Sequence, residues 1–133
     1  MACQKSLILL LAALILLVGG VEAQKMVWVG GGNGNRWISP WGYGLQNWKA
    51  PKLLPNDVLV FQWVNELHSV HKVDAADYTA CTFLNAKPLA RGRYYGFYTV
   101  KVRVKDIGKT IYFSSNVGDD CNNGIKAAFT VAS

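Results

Sequence analysis

Acidic side chains are scarce in this chain: eight Asp and Glu stand against 14 Lys and Arg, a formal net charge of +6. Such a surface favours anionic partners and speeds their encounter without defining a site. Cysteine is scarcer still, with three residues, and proline numbers four. That excludes a disulfide-dense miniprotein and a Pro-rich low-complexity chain. No Asn-x-Ser/Thr sequon occurs, so N-glycosylation is not expected. No repeat interrupts the sequence, and no apolar run closes it after Ile125, so neither a second membrane span nor a lipid-anchor signal is expected.

The single long apolar run lies at the start. Lys5 sits in a short polar head, Leu7 to Val18 are apolar, and Val21-Glu22-Ala23 places small residues before a cleavage point after Ala23. These features predict a secretory signal over residues 1–23 and a mature domain over 24–133. An uncleaved anchor is the weaker reading because the run is short for a bilayer. About 110 remaining residues suffice for one domain with one core. Cys3 leaves with the signal, so Cys81 and Cys121 are expected to pair in an oxidising compartment. Closing that loop is expected to stabilise the fold by about 4 kcal/mol.

From Met26 onward, short β-branched and aromatic runs alternate with Gly, Pro and Asn clusters, which predicts an all-β sandwich or barrel. Strands are expected over Lys25 to Gly30, Asp57 to Trp63, His68 to Val73, Tyr98 to Val104, Thr110 to Ser115 and Ile125 to Val131. Asp74 ahead of Ala75, Ala76 and Tyr78 is a good N-cap for one short helix ending near Cys81. The Gly-, Asn- and Trp-rich segment from Gly30 to Trp48 reads as a long surface turn.

In "TVKVRVK", Val100, Val102 and Val104 alternate with Lys101, Arg103 and Lys105, so the valines are expected on one face and the cations on the other. Just upstream, Arg91 and Arg93 precede Tyr94 and further aromatics. With Trp41, Tyr43 and Trp48, these residues form a candidate contact surface for acidic or neutral polysaccharide or an acidic protein. Solvation and core packing are the plainer roles for the same side chains. A secretory signal argues against a nucleic-acid partner, and a monomer is expected.

Three further segments carry a resemblance: "VWVGGGNGNRW", "NWKAPKLLPNDVLVFQW" and "HSVHKVDAADYTAC". Over essentially the whole mature chain the sequence resembles the phytocyanins, plant extracellular blue-copper proteins that include plantacyanins, stellacyanins, uclacyanins and the early nodulin-like proteins. The resemblance implies a Greek-key β-sandwich of cupredoxin type with seven or eight strands and a Cys81–Cys121 disulfide. Asn56 departs from the glycine usual in the family, which asks only for a turn residue.

The resemblance also assigns the copper-ligand positions. Counted back from Cys121 they fall on Ser115, Asp120 and Ile125, with His68 as the mid-chain ligand. A register shifted by one, onto Ser114 and Asp119, restores nothing. Three of the four ligands are replaced, so no copper and no other cofactor is expected. His71 is expected on the opposite strand face from His68, exposed and unable to chelate with it. His68, Ser115 and Asp120 match a hydrolase triad in composition only, because no oxyanion hole or cleft is announced and an enzyme is not expected. A polar plug is the expectation instead: Asp120 accepts a hydrogen bond from His68, Ser115 satisfies what remains, and His68 is held toward its protonated form. A secreted binding or signalling protein of the plant cell surface or wall follows. The alternative is the family's one-electron carriage through copper.

Overall fold

The computed structural model describes residues 24–30, 37–38 and 48–133. Among the described residues seven strands run in chain order: β1 Met26–Trp28, β2 Val58–Trp63, β3 His68–Val73, β4 Lys87–Arg93, β5 Gly96–Lys101, β6 Thr110–Ser114 and β7 Lys126–Thr130. Helix α1, Ala75–Ala80, follows β3. One sheet has the order β1-β2-β5, with β1 and β2 parallel, and the other is the antiparallel sheet β4-β3-β6-β7. The two-sheet, mostly β architecture with one helix and one disulfide is the one expected.

Aromatic side chains join the sheets. Phe61 on β2 meets the edge of Trp37 at 5.0 Å and packs on Phe113 of β6 at 5.1 Å, and Phe113 meets Phe129 of β7 at 6.1 Å. All four are buried. Trp37 donates its indole N–H to the Ser69 carbonyl at 2.9 Å, and Trp63 to the Arg93 carbonyl at 2.7 Å, so neither ring carries an unpaired donor into the core. Asp57, also buried, accepts from the backbone N–H groups of Lys25 and Leu54 and fixes where β1 and β2 begin. Beside it Asn56 has φ 76°, a left-handed turn position that asparagine tolerates.

Helix α1 forms as its capping predicts. Asp74 accepts from the Asp77 N–H at 2.8 Å, and Cys81 closes the helix in the left-handed region at φ 55°. There Cys81 is bonded to Cys121, with Cα atoms 5.6 Å apart.

Three expectations need correction. The strand expected over Tyr98 to Val104 ends at Lys101. Asp106 accepts a hydrogen bond from the Arg103 N–H and turns the chain into a 3-10 helix, Val104–Asp106, which leaves Val104 68% exposed instead of beside buried Val102. Strand β4 lies where no strand is expected from the sequence. Its Pro88 and Gly92 are punctuation residues in sequence, and they are tolerated because β4 is a sheet edge. His71 is buried rather than exposed. The pairing of β3 with β4 shifts register on both sides of Val70, so strict alternation fails, and Phe83 closes edge-on over the His71 ring at 5.7 Å.

Candidate functional site

His68 opens β3 and is nearly enclosed, its side chain 5% exposed, with Trp63 edge-on at 6.3 Å. The loop between β6 and β7 brings Asp120 to it. Glycines 118 and 124, at φ 47° and 92°, permit the tight course of that loop, and Asp120 N–H donates to the Val117 carbonyl. His68 Nδ1 lies 2.8 Å from Asp120 Oδ2, and its Nε2 lies 2.6 Å from Glu66 Oε2. Ser115, fully buried at the end of β6, donates to the same Asp120 Oδ2 at 2.6 Å and accepts from the Ser69 N–H at 3.1 Å. The network continues through Ser69 Oγ, 3.3 Å from Ser115 Oγ and 3.2 Å from His71 Nδ1.

Both ring nitrogens of His68 face carboxylate oxygens, which only accept, so the imidazolium alone satisfies both contacts. Burial opposes that charge, but hydrogen bonds and Coulomb attraction from Asp120 and Glu66 outweigh it and hold the His68 pKa above its ordinary 6.5. His71 has no carboxylate beside it, and burial pushes its pKa down.

Hydrolytic relay chemistry is absent from this arrangement. Ser115 and His68 are both bonded to Asp120 Oδ2, neither ring nitrogen is left to take a proton from the serine, and the hydroxyl is sealed from solvent. Among the described residues, no group of three or more His, Cys, Asp or Glu is arranged to hold a metal ion.

This disposition of strands, disulfide and His68 can be set beside known proteins. Residues 37–125 match the plastocyanin-like domain family. Chemocyanin of Lilium longiflorum is 30% identical over 132 residues, covering 98% of this chain and 95% of that protein. The chain belongs to the phytocyanin family of plastocyanin-like domains. Among solved structures, cucumber stellacyanin with Cu2+ is 26% identical with a TM-score of 0.59, covering 84% of this chain and 98% of that one. Cucumber basic protein, a blue copper protein, shares the fold at 24% identity and a TM-score of 0.58, covering 80% and 98%.

In this phytocyanin, His68, Ser115 and Asp120 do converge, as the resemblance implied, while Ile125 is wholly buried in the hydrophobic core. Glu66 was missed by sequence reasoning. It precedes β3 in a turn where Asn65 has φ 62°, and only that reversal carries it onto the ring two residues later. The contact surface divides. Arg91, Arg93 and Tyr94 lie at the His68 end of β4, where His68 pairs with Arg93, whereas Lys101, Arg103 and Lys105 line a cavity toward the other end. Trp48 is half-buried against Phe129 and packs on the core, so it serves the fold. Trp41 and Tyr43 lie outside the described residues, as does the expected signal over residues 1–23.

Proposed function

We infer that this phytocyanin is a secreted binding protein of the cell surface or wall that does not carry copper, transfers no electrons and catalyses no reaction. One observation carries the reading. The group standing at the family's thiolate position, the Ser115 hydroxyl, is spent on Asp120, and Asp120 is spent on His68. A neutral hydroxyl and a carboxylate are hard donors, and the fourth position, Ile125, offers copper no donor atom. The donor set therefore does not fit type 1 copper, and no step is routed through a metal. Secretion is supported by the apolar run Leu7 to Val18 with its small-residue cleavage pattern, and among the described residues no helix is long and apolar enough to cross a membrane.

Copper stoichiometry with visible and EPR spectra on the chain, disulfide intact, tests this. The expected protein is colourless and gives up added copper to a mild chelator. Tightly held stoichiometric copper with an intense thiolate charge-transfer band would return one-electron transfer as the function.

A further inference from the structure

The edges of the two sheets part company along β4 and β5. They are joined at one end by the short turn at Tyr94 and Tyr95, and toward the other end they flank a cavity of about 320 Å³. One wall carries Lys72 and Lys87, and the other carries Lys101, Arg103 and Lys105. None of these five cations forms an ion pair among the described residues, and the one carboxylate of the lining, Asp106, is buried and accepts from the Arg103 backbone N–H. Lys72 and Lys87 are moreover direct cross-strand partners. Like charges placed opposite each other on adjacent strands weaken a sheet. Among the described residues neither lysine has an ion-pair partner to offset that repulsion.

Between the cationic walls the lining turns apolar, with Leu89 of β4 and the half-buried ring of Tyr98 on β5. We propose that this cavity is the docking groove for a carboxylated polysaccharide, a run of uronic acid residues whose carboxylates meet the five cations while the C–H face of a sugar ring lies on Tyr98 and Leu89. The charge is spread around a recess rather than focused on one point, which suits several carboxylates along a chain better than a single small anion. An acidic peptide is the poorer fit. Were it to add as a strand, it would meet at the β4 edge a position, Pro88, that has no backbone donor.

The groove rests on the binding-protein reading above but uses no residue of the His68 network. A blue protein would overturn that reading and leave the groove standing; failure of the groove would leave the copper result untouched.

The test is an NMR titration of the whole domain with a short oligogalacturonate at about 0.15 M salt, where interactions between well-separated exposed charges are largely screened. The methyl-esterified oligomer and a polyglutamate of equal charge serve as controls. Shifts are expected at Lys72, Lys87, Leu89, Tyr98 and Lys101, with neither control binding comparably. Lys101→Glu, Arg103→Glu and Lys105→Glu together are expected to weaken binding by about tenfold or more, and Lys87→Gln by about two- to fivefold, in line with exposed ion pairs. All four side chains are exposed, so the variants are expected to fold. Lys87→Gln carries a second readout: because it relieves the pair with Lys72, its thermal midpoint is expected to hold or rise while its affinity falls. No shifts with oligogalacturonate, shifts confined to the Arg91 and Arg93 end, equal binding of the esterified oligomer, or equal binding of polyglutamate would each overturn the proposal, the last in favour of an acidic protein.

Discussion

Replacing Asp120 by alanine removes one carboxylate oxygen that two side chains share, and the cost should depend on pH. The bond from His68 is charge-assisted and its ring is enclosed, with Asp120 only 16% exposed, so solvent screens it little. Both bonds end on a carboxylate, and hydrogen bonds to charged groups contribute about 1.5–3 kcal/mol each. Asp120→Ala is therefore expected to cost about 3–6 kcal/mol while His68 is protonated, and less once the ring is neutral and only one of its nitrogens can donate. The sign follows from linkage. A histidine whose folded pKa is raised stabilises the fold fully below its unfolded value of 6.5 and loses that contribution as pH rises through the higher folded value. Wild type and variant should thus converge in stability as the solution is made alkaline. Glu66 remains beside the ring but is 47% exposed, so it compensates only weakly. Urea denaturation across that range, with an NMR titration of the His68 ring, measures both quantities. A His68 pKa unmoved by Asp120→Ala, or a stability gap that does not narrow with rising pH, would refute the reasoning.

Gly96→Ala should destabilise the protein by about 1–3 kcal/mol or more, as overpacking does, because an added Cβ would lie 2.1 Å from the Trp63 ring, which its bond to the Arg93 carbonyl holds in place; thermal unfolding reads it. Replacing Cys81 and Cys121 by alanine opens a loop spanning 40 residues and should cost about 4 kcal/mol in the chain-entropy account, measured by denaturant midpoint.

Strands with strong alternation were legible from the residues alone. Strands β2 and β6 agree with their expected bounds to within one residue because their runs of Val, Leu, Ile, Phe and Trp leave one pairing that buries them. Strand β3, whose alternation breaks at Val70, agrees because the turn at Asn65 and the helix cap Asp74 delimit it. Edge strand β4 was not legible. Its sequence, "KPLARGR", carries loop residues, and it is a strand because β3 needs a partner on that side. Val104 and His71 failed for a related reason: a side chain from elsewhere, Asp106 or Phe83, decided which way the position faced.

By itself, the sequence determined the class of this protein. Apolar periodicity, turn residues and a cysteine pair are local chemical facts, and they suffice for an all-β sandwich or barrel with a disulfide, while the ligand positions at 68, 115, 120 and 125 came from the family resemblance. Tertiary structure alone decided what the remaining polar groups do. Glu66 and Asp120 clamp His68 from both sides, and five lysines and arginines from three strands and a turn surround one recess. Charge acts through distance in space, and residues 52 positions apart become partners at 2.8 Å only once the strands have paired.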